Sequence, residues 1–134
     1  MRKLLRVLRS IAAVFAGYVV IVICTTVAFE YMLGGIGYYK SSAGVLAVAT
    51  GAAIVSGLAG GFVAAWIGGK SHILHGSAVV IPLILDTTYV ITSGISHDPV
   101  WYDLVGGITL MIAAILGGIL KQRISSKQLV LSTS

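Results

Sequence analysis

Charge is what this sequence most lacks. Only 10% of its 134 residues are Asp, Glu, Lys or Arg, against roughly 25% in soluble domains. A water-exposed globule is excluded on that ground. Disorder is excluded too, because it needs low hydrophobicity and 57% of this chain is hydrophobic. Cysteine is nearly absent: Cys24 stands alone, which rules out a disulfide scaffold or a CxxC pair. Catalytic signatures are missing as well. There is no G-x-S-x-G, no H-E-x-x-H and no phosphate loop. The Gly-rich stretch Gly57 to Gly61 lacks the Lys-Ser/Thr that such a loop needs. The expectation is a non-enzymatic chain with no catalytic residue, no cofactor and no metal.

What is present is long apolar runs, with a mean hydropathy of +1.02. A membrane-spanning helix needs about 20 apolar residues to cross a hydrocarbon core of about 30 Å. Such runs lie at Ile11 to Leu33, Ala43 to Ile67, Ile73 to Ile95 and Val100 to Leu120. The separators are short and hold turn-forming residues: Gly34 to Ser42, Gly68 to Ser71, and Ser96 to Pro99. Short connectors make sequential helices antiparallel. The runs exceed strand length and lack the alternation of a lipid-facing barrel. The predicted fold is all-α, an antiparallel bundle of four transmembrane helices over residues 11–120. A basic segment, 1–10, precedes it, and a tail, 121–134, follows.

The basic leader before the first run resembles a signal peptide, but the run exceeds the usual apolar length of 7–15 residues. The best cleavage site, near Thr26-Val27-Ala28, is poor. Retention of the first span is expected. Bulky Ile23 before Cys24 argues against lipid attachment there, so Cys24 is expected to be a small buried side chain.

Basic residues mark the cytoplasmic side. Arg2, Lys3, Arg6, Arg9, Lys70, Lys121, Arg123 and Lys127 fall on one side of a four-span chain, and only Lys40 falls on the other. Both termini are therefore expected inside. All four acids, Glu30, Asp86, Asp98 and Asp103, then belong to the outer half. The net charge of +5 follows from these juxtamembrane residues and implies no nucleic acid. Arg2, Lys3, Arg6, Arg9, Lys121 and Arg123 are expected near anionic lipid heads. Tyr38, Tyr39, Trp101 and Tyr102 suit the outer interface, and Trp66 the inner one.

Helices in lipid associate through close backbone contact. Ala49, Ala53, Gly57, Gly61, Ala65 and Gly69 recur every four residues on the second span. Beside them run Gly44, Ala52, Ser56, Gly60, Ala64 and Gly68. Gly117 and Gly118 extend the pattern to the fourth span, paired with Ala113 and Ala114. The packing residues are read as Ala53, Gly57, Gly61, Ala65, Gly117 and Gly118. They serve either contacts within the chain or contacts with another chain.

The third span carries a polar stripe. His72, His75, Val79, Pro82, Asp86, Tyr89 and Ser93 follow steps of three and four and share one helix face. Asp86 lies about 20 Å in from Ile73 at 1.5 Å per residue, inside the hydrocarbon zone. Pro82 leaves the Ala78 carbonyl without its usual donor and predicts a kink. Glu30, one turn after Thr26, is at similar depth, so the two acids are candidates for a shared polar pocket suited to protons. The plainer alternative bonds Asp86 to Tyr89 or a Thr hydroxyl and leaves Glu30 at interfacial water. Asp86, Glu30, Tyr89 and Ser93 form the candidate intramembrane site. His72 and His75 have metal-ligand spacing but no further ligand on their side. His97, Asp98 and Asp103 suit either a weak cation site or, with Pro99, a helix start.

Gly60-Gly61-Phe62-Val63-Ala64-Ala65-Trp66-Ile67-Gly68, a short basic turn and then His75-Gly76 resemble a pattern of small four-span bacterial inner-membrane proteins. His97-Asp98-Pro99-Val100-Trp101 and Leu116-Gly117-Gly118 are similar to the two ends of their fourth span. The resemblance covers residues 12–120 and departs at Trp66 and Asp86. It implies four spans in a bacterial cytoplasmic membrane. That group has no assigned activity, so no catalytic residue is carried over. Small multidrug antiporters place an essential acid in the middle of the first span, whereas Glu30 lies near its outer end. The leading expectation is an accessory or structural subunit of a membrane complex, or a small homo-oligomer packed through Gly/Ala faces. The alternative is a proton-coupled carrier using Asp86 and Glu30. Partners are the lipid bilayer and other membrane chains or further copies of this one.

Overall fold

The structure, a computed structural model, describes residues 1–133. It is helical, with no strand among the described residues. Four helices are long and apolar enough to cross a membrane. The first, α1, runs Arg2–Thr26 and continues as a π-helical segment, Val27–Met32. Then come α2, Ala43–Gly68, α3, His72–Ala78, α4, Val80–Ser93, and α5, Val100–Thr133.

The end signals are local. Ser42 caps α2, its Oγ accepting from the Val45 N–H at 3.3 Å, which satisfies one of the orphan donors of a helix start. At the other end Gly69 takes φ +87°, a conformation open to glycine at little steric cost, and its N–H reaches the Ala65 carbonyl. The third apolar run is not one helix. It breaks at Val79, where Pro82 has no N–H for Ala78, and the next bond, from Leu83 to the Val79 carbonyl, is long at 3.3 Å. So α3 and α4 share one span, His72–Ser93.

The terminal helices outrun their apolar cores. α5 has 34 residues, about 51 Å at 1.5 Å per residue, well beyond a hydrocarbon thickness of about 30 Å. α1 likewise starts at Arg2 rather than Ile11. The basic leader and much of the tail are thus helical continuations of the spans.

α2 lies at the centre, with α5 on one side and α1 on the other. α3 packs on α5 and α2, whereas α4 has α5 as its one substantial cross-chain neighbour. Small residues set these approaches. A methyl at Gly57 would sit 2.5 Å from the Ala113 Cβ, and one at Gly61 would collide with the Ala114 carbonyl. A methyl at Gly17 would lie 2.6 Å from the Gly60 carbonyl oxygen. Ile21 and Val79 are the largest fully buried side chains, and Ala13, Ala64, Ala65 and Ala114 fill much of the rest. The packing is therefore backbone against backbone, as lipid-embedded helices require.

Candidate functional site

At membrane depth a groove of about 450 Å³ lies between α1 and the third span. Its walls are apolar, including Val14, Phe15, Ala78, Ile81 and Leu85. The groove follows from the Pro82 break: α3 stays close to the bundle through Gly76 against Gly118, while α4 has no comparable contact with α1.

Polar contacts bound the groove at two heights. Toward the chain termini, His75 is 7% exposed. Its Nδ1 lies 2.7 Å from the Ser71 carbonyl and its Nε2 lies 3.0 Å from the Ser10 Oγ. A carbonyl only accepts, so Nδ1 carries the proton; in the neutral ring Nε2 then accepts from the Ser10 hydroxyl. Higher up, the Tyr18 phenol and the Asp86 carboxylate lie close enough to interact electrostatically. This contact joins α1 to α4 across the top of the groove.

The two acids expected to share a pocket are placed differently: Asp86 is exposed on α4 and has Tyr18 as its electrostatic neighbour. Glu30 is exposed on the π-helical segment and is not on the groove wall. No hydrogen bond links it to Asp86 among the described residues. Tyr89 is 61% exposed. Ser93 is exposed and turns its hydroxyl to the Val90 carbonyl at 3.4 Å, and Thr92 bonds the Thr88 carbonyl at 2.8 Å. Neither Tyr89 nor Ser93 is Asp86's partner. Tyr18 is the side chain that interacts with it electrostatically, and sequence reading missed it. A signal existed: Tyr18 is the one strongly hydrogen-bonding side chain of α1 between Ser10 and Thr25.

Ala53, Gly57, Gly61, Ala65, Gly117 and Gly118 are all buried against helices of the same chain. Among the basic residues expected at lipid heads, Arg9 instead donates its Nε to the Ile67 carbonyl at 2.7 Å, and His72 Nδ1 meets the Ala65 carbonyl at 3.0 Å. Arg9 satisfies an orphan acceptor at the end of α2 and complements its dipole, and His72 adds a second partner to the Ala65 carbonyl. Lys121 lies 5.5 Å above the Phe62 ring, within cation–π range. Arg2, Lys3, Arg6 and Arg123 are exposed.

At the opposite end, Asp98 Oδ1 accepts the Tyr38 N–H at 2.9 Å, tying together two connectors. Asp98 N–H reaches the Ser96 Oγ at 3.2 Å, and the Ser96 hydroxyl donates to Asp103 at 3.2 Å. Tyr38 stacks edge-on with Trp101 at 5.1 Å and with Tyr39 at 5.2 Å. Asp98 and Asp103 here organise a knot of loop and aromatic residues. Cys24 is half-buried. No family profile, curated protein or solved structure matches the chain.

Proposed function

We propose that this chain is an integral protein of a bacterial cytoplasmic membrane and acts without catalysis, as an accessory or structural subunit of a membrane assembly. In this reading it is an antiparallel bundle with both termini in the cytoplasm. Two sets of contacts support the antiparallel arrangement: Arg9 with Ile67 and Ser10 with His75 at one end, and Tyr38 with Asp98 at the other. The orientation rests on the basic residues, all but Lys40 of which lie at the end carrying the termini. The location also leans on the resemblance to small four-span inner-membrane proteins.

The observation that carries the assembly reading is Asp86. It is exposed on α4, with Tyr89 and Ser93 exposed on the same face. An ionised carboxylate at hydrocarbon depth costs about 2.5–3.5 kcal/mol on insertion scales. One phenol does not satisfy a group that accepts several hydrogen bonds. A neighbouring helix with a donor would supply the rest. The Gly/Ala faces are already consumed within the chain, so the contact surface for another protein is this polar upper face of α4. The test is purification from native membranes in mild detergent. Wild type should carry a second chain or a second copy, and Asp86→Leu should lose it. A clean wild-type monomer would overturn the reading.

The Tyr18–Asp86 pair also favours a second reading, a proton-coupled carrier. A carboxylate near a phenol at the edge of an apolar groove is an arrangement that can hold and release a proton. Asp86→Asn should then abolish solute or proton flux in liposomes; unchanged flux removes this alternative.

A further inference from the structure

A second hollow, of about 500 Å³, lies at the terminal end between the α2–α3 connector and the last turns of α5. Its walls mix polar groups, Lys70, His72, Gln122 and Ser126 among them, with apolar Ile73 and Leu129. Leu74 lines this hollow and also the apolar groove. The two cavities thus meet at Leu74, one on the α5 flank of α3 with Lys70 at its mouth and the other on the α1 flank, apolar toward Leu85. Polarity changes along the membrane normal in the same sense as in a phospholipid. Charge agrees. Lys70 and His72 stand at the polar end, and Lys3 and Arg6 precede Ser10 on the groove face of α1 by two turns and one. No acid lines either hollow. His72 is fixed through Nδ1 by the Ala65 carbonyl, so Nδ1 carries the proton and Nε2 donates to a phosphate only in the imidazolium form.

We propose that the two hollows form one binding site for an anionic phospholipid. Its phosphate lies by Lys70 and His72, and one acyl chain passes over Leu74 into the groove toward the Tyr18–Asp86 contact. The site lies below the α4 face assigned above to another protein, so it stands or falls separately from that assignment. The volume of the groove is in the range of about 300–1,000 Å³ typical of small-molecule sites.

The test uses the purified full chain, delipidated, with an equal mixture of dioleoyl phosphatidylglycerol and dioleoyl phosphatidylcholine, read by native mass spectrometry. Phosphatidylglycerol should be retained in excess. The Lys70→Gln/His72→Gln variant should lose about five-fold or more of that excess, while Lys127→Gln, on α5 but not among the lining residues, should keep it. Ala78→Phe, which fills the groove, should weaken both lipids. Should Ala78→Phe fail to fold, the wild-type chain should hold a short-chain phosphatidylglycerol more weakly than the dioleoyl form. Equal retention of the two headgroups overturns the proposal. So does an unchanged excess in the double variant, equal retention of short and long chains, or displacement by inorganic phosphate, which would indicate a free-phosphate site.

Discussion

The two sides of α2's bundle are built differently. Toward α5 the contact is Gly57 and Gly61 against Ala113 and Ala114, with Gly117 seated on the Leu58 carbonyl. Between α1 and the third span, by contrast, the facing residues are Val14, Phe15, Tyr18, Ile81, Pro82 and Leu85. The first pair closes on backbone; the second stands apart around a groove. In lipid, where apolar side chains gain nothing by leaving their solvent, residue size decides which helices touch. Bulk and a missing N–H keep the groove open; the Ser10–His75 hydrogen bond bridges it, and Tyr18 and Asp86 interact electrostatically across its top.

The heaviest blow to that contrast is Gly61→Leu. Its side chain would run into the Ala114 backbone, and overpacking of this kind costs about 3 kcal/mol or more. Unfolding in a denaturing-detergent titration should shift accordingly, or the folded protein should fail to accumulate. Next is the bridge. Tyr18→Phe and Asp86→Asn should each destabilise modestly, and their double-mutant cycle should give a coupling of about 1 kcal/mol, within the range for intramembrane hydrogen bonds. Zero coupling would mean the two side chains act independently. A smaller effect is expected from Pro82→Ala, which returns a donor to Ala78. On a Cys24→Ser background, cysteines placed at Val14 and Ala78 should then cross-link faster as the groove narrows. The least effect belongs to Gly51→Ala. A methyl there meets nothing within 4 Å, so stability should stay within about 0.5 kcal/mol of wild type. Together, Gly61 and Gly51 show whether contact, rather than glycine itself, sets the cost.

Much of this was readable from the residues alone, and the reasons are physical. Hydropathy located the spans because hydrocarbon tolerates little else. Steps of three and four put Asp86 on the face that borders the groove, and the missing N–H of Pro82 foretold the break near Val79. What escaped depended on tertiary context. Tyr18 looked like any aromatic in an apolar run until α4 brought a carboxylate to it. Arg9 fitted the general rule for lipid-facing cations, yet the end of α2 offers it the Ile67 carbonyl. The pairing of Glu30 with Asp86 assumed that equal depth means proximity, which a bundle of separate helices does not guarantee. The π-helical turn around Glu30 arises from backbone pairing, such as Leu33 N–H to the Ala28 carbonyl at 3.1 Å, and side-chain periodicity carries no trace of it. Thr25 lies just before that turn, its hydroxyl on the Ile21 carbonyl at 2.8 Å, a bond that competes with the regular ladder.

The loop knot around Asp98 has a mechanical meaning for α4. One end of that helix is anchored by the aromatic residues and the Tyr38 amide, and the other is joined at Val79 to α3, which Gly76 and Gly118 hold against α5. A rod pivoted at both tips has little freedom to swing, but it retains freedom to roll. Rolling by part of a turn would carry Asp86 away from its phenol without moving either loop, so the polar bridge is the natural register mark of the whole span.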